Sequence, residues 1–145
     1  MPFGNPKFEV RNSKQIKMLQ TQNSKLDPIK TKHYDLEERT FEFAKRIRVF
    51  VKKVPRTISN IEDIAQLVRS SGSIGANYIE ANEAISKKDF SHRIKICRKE
   101  SKESIYWLRL LDILDNKDLE EERSALIKES TELMKIFSSI MRKSI

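Results

Sequence analysis

Four stretches of this chain repeat apolar side chains every three or four residues, which is the period of a helix and not of a strand. The first runs through Leu36, Thr40, Phe43, Ile47, Phe50 and Val54, flanked by Ala44 and Val51. A helix turning 100° per residue carries all of them on one face. Asp35 followed by Glu38 forms a capping box at its start, each side chain reaching a free backbone N–H. Pro55 ends it, because the residue before proline avoids the helical region. The second stretch holds Ile61, Ile64, Ala65, Leu67, Val68, Gly72, Ile74, Gly75, Tyr78 and Ile79. The third opens with the capping pair Ser86 and Asp89, carries Phe90, Ile94, Cys97, Ser101, Ile105, Leu108 and Leu111, and stops near Asp115–Asn116. In the fourth, Leu119, Leu126, Leu133, Phe137 and Ile140 are widened by Ile127, Met134 and Met141. Glu120, Glu121 and Glu122 near its start and Arg142 and Lys143 at its end suit the helix dipole.

These stripes predict helices near 35–54, 59–84, 87–115 and 118–142, with no sheet. Three glycines and four prolines in 145 residues are too few to turn the many short strands of a sandwich or barrel. The predicted fold is all-α, an up-down-up-down antiparallel four-helix bundle over residues 34–145. Its expected core is Phe43, Ile47, Phe50, Val68, Ile94, Leu108, Leu126, Leu133 and Phe137. Residues 1–33 read as an N-terminal basic arm, interrupted by Pro2, Gly4, Pro6 and Pro28, with seven Lys/Arg against two Asp/Glu. A short helix over Lys14–Gln22 would gather Ile16, Met18 and Leu19, and Met18 is an alternative start.

The residues offer no catalytic constellation. His33 and His92 have no partner at metal-ligand spacing, so no metal is expected. Cys97 is the sole cysteine, which excludes a disulfide framework, and it falls on an inner stripe where cysteine behaves as a small hydrophobe. The run Ser70-Ser71-Gly72-Ser73-Ile74-Gly75 lacks the phosphate-loop pattern and sits inside a helical period. No cofactor and no small-molecule substrate are therefore expected, and the chain reads as a non-enzyme. No apolar run is long enough to span a membrane, and the first residues lack the apolar segment of an export signal. The expected location is the cytoplasm.

Two surfaces stand out. On the second helix, Gln66, Arg69, Ser70, Ser73, Asn77 and Glu80 line a polar stripe whose middle is short and uncharged. Two readings stay open: a solvated face, or a face buried against another helix or another subunit, where its polar groups would find partners. The small Ser71, Gly72, Gly75 and Ala76 beside it suit close helix or subunit contact. The third helix is basic, with eight Lys/Arg against three Asp/Glu over residues 87–109. Lys88, His92, Lys95, Lys99, Lys102, Tyr106 and Arg109 share one face, opposite Phe90, Ile94 and Leu108. The acids gather on a separate flank beside Trp107. Segregated positive charge with an aromatic suits a phosphate backbone. The competing reading is a solvated face with pairs such as Lys99–Glu103.

At these residues the chain resembles a known family. Residues 34–44 (YDLEERTFEFA), 66–81 (QLVRSSGSIGANYIEA), 86–90 (SKKDF) and 101–111 (SKESIYWLRLL) are similar to the four-helix-bundle family of 23S ribosomal RNA intervening sequence proteins. The likeness covers most of residues 34–145, and the long basic arm departs from the family's short start. It implies a bacterial bundle assembled as a ring-like homopentamer, with no catalytic residues to carry over. A related branch, the accessory protein of diversity-generating retroelements, implies binding of reverse transcriptase and nucleic acid through a basic barrel.

Two functions follow as expectations. One is a homo-oligomeric protein that contacts RNA or a ribonucleoprotein through its basic surface. The other is a protein-interaction scaffold, such as an accessory subunit of a reverse transcriptase or polymerase.

Overall fold

The computed structural model describes residues 36–144. The basic arm, its Lys14–Gln22 helix, Met18, His33 and the Asp35 half of the first capping box lie outside the described residues. The chain divides into units 1–39 and 40–145. Four helices are described: α1 (Leu36–Val51), α2 (Ile58–Asn82), α3 (Lys87–Leu110) and α4 (Lys117–Lys143). No strand occurs among the described residues.

α2, α3 and α4 each start where a side chain caps them. Thr57 accepts from the Asn60 amide at 3.1 Å, Ser86 from Asp89 at 3.0 Å and Asn116 from Leu119 at 3.1 Å. Each cap satisfies one amide that the helix leaves open. Neighbours run antiparallel, as two contacts at different heights show for each pair. Asn60 meets Asp112 while Asn77 meets Arg93. Arg123 meets Leu108 while Ser130 meets Ser101. On the α1–α2 side the backbones come close at Gly75, where a Cβ would lie 2.9 Å from Thr40 Oγ1. Gly75→Ala therefore forces a shift in Thr40.

The core is built as the periodicity predicts. Phe43, Ile47, Phe50, Ile94, Leu108, Leu126, Leu133 and Phe137 are buried. Val68 is a correction: it is half-buried, and its neighbour Leu67 takes the core position. The ten residues of the second stripe make it broad, so spacing alone does not tell which of two adjacent residues faces the core. Where α2, α3 and α4 meet, small hydroxyl side chains replace bulk. Ser70, Ser71, Ser101, Ser104 and Ser130 are all buried. Ser70 and Ser104 share a hydrogen bond of 2.9 Å across α2 and α3, and Ser130 donates to the Ser101 carbonyl at 2.7 Å. The remaining hydroxyls turn back to carbonyls of their own helix, so none is left unsatisfied at depth.

Helix ends depart from the predicted boundaries. α1 closes at Val51, and Val54 is buried in the turn that follows. α2 ends at Asn82 rather than 84, where Glu83 N–H returns to the Glu80 and Ala81 carbonyls. α3 ends at Leu110, five residues before the expected stop. The cause is tertiary. Asn60, fully buried, donates to the Pro55 carbonyl at 2.9 Å and the Asp112 carbonyl at 2.8 Å, and accepts from the Asp112 amide at 2.9 Å. Arg123 takes the Leu111 carbonyl at 2.6 Å. These bonds claim the groups that another helical turn would use. Leu114 and Asp115 then adopt φ of 52° and 60°, a left-handed turn that costs about 1–2 kcal/mol per residue without glycine.

Candidate nucleic-acid interface

The Ser86 cap and the buried row Ile94–Cys97–Ser101–Ser104–Leu108 fix the rotation of α3. That rotation turns the opposite row outward. Lys88, His92, Lys95, Lys99, Lys102, Tyr106 and Arg109 are all exposed on one side of a helix, over roughly 30 Å at 1.5 Å per residue. None of these basic side chains makes an ion pair among the described residues.

Glu100 and Glu103 of α3 are turned aside, toward Arg69 of α2. Glu103 Oε2 accepts from Arg69 Nη2 at 2.6 Å and from Trp107 Nε1 at 3.1 Å. Lys99 is therefore not the partner of Glu103 that i,i+4 spacing allows. Glu100 lies one turn deeper. Its Oε1 is buried, accepts no hydrogen bond among the described residues, and sits 3.9 Å from Arg69 Nη1. Burial first, then the neighbouring Glu103 charge, pushes the Glu100 carboxyl above the ordinary carboxylate range, against the opposing pull of Arg69 and Lys99. The result is a helix whose Glu100 and Glu103 meet Arg69 on the α2 flank, while the outer face carries positive charge without ion pairs among the described residues.

The polar stripe of α2 is divided. Ser70 and Ser71 are buried, Ser73 and Asn77 are half-buried, and Gln66, Arg69, Ala76 and Glu80 are exposed. Gln66 accepts from Arg69 at 3.3 Å, and Asn77 accepts from Arg93 Nη1 of α3 at 3.1 Å. Gly72 faces α1, where a Cβ would stand 3.3 Å from an Arg48 guanidinium nitrogen.

Two features escaped the sequence reading. Asn60 carries no periodic signal, because a buried amide at the first turn of a helix looks like a surface residue. The Trp107–Glu103 bond is consistent with i,i+4 spacing, but the sequence shows only that Trp107 lies beside the acids. Tyr106 packs against Trp107 with ring centroids 4.9 Å apart at 77°, an edge-to-face arrangement.

Other candidate chemistry falls away from this face. Cys97 is buried, its Sγ donates to the Ile74 carbonyl at 3.4 Å, and burial pushes its thiol up to about 12, so it stays protonated at neutral pH. His92 is exposed, and no group of three or more His, Cys, Asp or Glu among the described residues could hold a metal ion. No described helix is long and apolar enough to cross a membrane.

Comparison with known proteins joins this geometry to a family. A family model described as 23S rRNA-intervening sequence protein matches residues 32–139. A crystal structure from Bacteroides thetaiotaomicron, a protein of unknown function from the S23 ribosomal protein family, is similar at TM-score 0.62 and 32% identity. The alignment covers 72% of this chain and 96% of that one. No curated protein matches.

Proposed function

We propose that this chain, which belongs to the 23S rRNA-intervening sequence protein family, is a non-enzymatic, homo-oligomeric protein that binds RNA or a ribonucleoprotein through the outer face of α3. The exposed, unpaired row of Lys88, Lys95, Lys99, Lys102 and Arg109 is the observation that carries this reading. Such a row displaces the cations condensed on a phosphate backbone, and that release drives binding. The family name and the basic arm support the same partner. Assembly as a homopentamer follows from the resemblance noted above. The exposed α2 residues Gln66, Ala76 and Glu80, with half-buried Ser73, offer a mostly uncharged surface to a neighbouring copy. The cytoplasm is the place where such an RNA partner would be met.

Reversing Lys95, Lys99 and Lys102 to Glu tests the reading. RNA binding should fall steeply, with the log–log salt slope shallower by roughly one unit per lost phosphate contact and the helical circular dichroism intact. Deleting residues 1–33 should weaken binding by a separate amount. Unchanged affinity and slope after the triple reversal would make the row a solvated face. Sedimentation equilibrium tests the assembly, and a monomer at high micromolar concentration defeats it.

The second reading, a scaffold for a protein such as a polymerase or reverse transcriptase, draws on a different observation. Ile58, Ile61, Leu110 and Leu114 are exposed where α2 begins and α3 ends, and the Asn60–Asp112 bonds bring these two segments together. Exposed apolar clusters of this kind mark protein contacts. Native protein that binds no RNA would favour it.

A further inference from the structure

The basic row of α3 contains one side chain that charge alone does not explain. Tyr106 is 54% exposed, and its hydroxyl makes no hydrogen bond among the described residues. Lys102 precedes it by four residues and Arg109 follows by three, so a cation stands one turn away on either side, roughly 4.5–6 Å along the axis. The ring is also braced. Trp107 meets it edge to face at 4.9 Å, Glu103 holds the Trp107 indole at 3.1 Å, and Arg69 of α2 holds Glu103 at 2.6 Å. A chain of three contacts thus ties an exposed phenol ring to the second helix.

An exposed aromatic held in place between two cations has the parts of a base-stacking platform. The ring gives a π face, and the flanking charges take the phosphates on either side of the stacked nucleotide. A-form duplex cannot use it, because paired bases are stacked on one another and their major groove is deep and narrow. Resting on the reading that the α3 face binds RNA, we propose that Tyr106, positioned by Trp107, stacks an unpaired base, and that the RNA this face selects is single-stranded or looped rather than continuous duplex.

The test uses the full chain with two fluorescein-labelled probes, a 20-nucleotide oligouridine and a 20-base-pair RNA duplex, read by anisotropy at fixed salt. The native protein should prefer the single strand. Tyr106→Ala should cut single-strand affinity by about 5- to 100-fold, the range of one lost stacking contact, and bring the preference for single strand over duplex close to one. Tyr106→Phe should keep it. Trp107 is the chain's single tryptophan, so its fluorescence should change when the single strand binds and not when the duplex does. Equal binding of both probes, or an unchanged preference in Tyr106→Ala, overturns the stacking role while the triple lysine reversal still tests the basic face. Loss of all RNA binding by the native protein defeats both. A changed sedimentation profile for Tyr106→Ala would place the ring in a contact between copies and also overturn the proposal.

Discussion

The two flanks of α3 treat charge in opposite ways. On the α2 side, Glu103 meets Arg69 and the indole of Trp107, and Arg93 meets Asn77. On the outer side, Lys88, Lys95, Lys99, Lys102 and Arg109 are exposed and unpaired among the described residues. Both flanks belong to one helix and share its buried row, so the difference is not one of helix formation. Charge on the inner flank fixes how α2 and α3 register. Charge on the outer flank makes no such bond, and neighbours such as Lys95 and Lys99 at i,i+4 repel by a few tenths of a kcal/mol. A polyanion relieves that repulsion, and the fold does not.

The comparison is broken most severely if the shared buried row fails. Leu108→Ala should cost about 2–5 kcal/mol in urea unfolding, since Leu108 is fully buried; a loss below about 1 kcal/mol would mean that α3 is not seated as described. A smaller effect sharpens the inner flank. In a double-mutant cycle of Arg69→Ala and Glu103→Gln, the coupling should be about 0.5–1 kcal/mol, as for a partly exposed pair, and should shrink in salt. The same cycle between Lys99 and Glu103 should give a smaller coupling, since no ion pair joins them among the described residues.

Glu100 adds a pH dependence to the inner flank. Burial and Glu103 raise its pKa in the folded protein, so folding favours its protonated form. The stability it contributes is fully present below the ordinary carboxylate pKa and is lost as pH rises through the raised folded value. Glu100→Gln should therefore melt higher than the native protein near neutral pH, with the gain vanishing at about pH 4. An equal gain at both pH values would show that the charge is not the cause. The smallest effect belongs to the outer flank. Lys99→Glu should change stability by no more than about 0.5 kcal/mol, and a loss as large as that of the inner-flank pair would erase the distinction between the two flanks.

The buried row was legible because Ile94, Cys97, Ser101 and Leu108 recur with helical spacing and only one face can hold them. The Ser86 cap was legible from the same local chemistry. The outer row followed from these by elimination. The end of α3 was not legible, since Asn60, 52 residues away, decides it, and spacing along one helix carries no record of a side chain reaching from another. The same limit hid the choice between Leu67 and Val68: adjacent apolar residues within a broad stripe are separated only by how the helix is rotated against its neighbours. Glu103 choosing Arg69 over Lys99 is likewise a contact between helices, which a rule for single helices misassigns.

Asn60 also gives the bundle an uneven resistance to opening. One side chain ties the α1–α2 turn, through the Pro55 carbonyl, to the α3–α4 loop, through both backbone groups of Asp112. At the far end, the start of the α2–α3 loop is held by short-range backbone bonds, Glu83 N–H to Glu80 and Ala84 N–H to Ala81, and Ile85 there is 97% exposed. Deuterium should therefore enter the Glu83 and Ala84 amides through fraying of a single turn, whereas the Asp112 amide must wait until two loops and the helices between them let go together. The end that Asn60 clasps is thus the last to open.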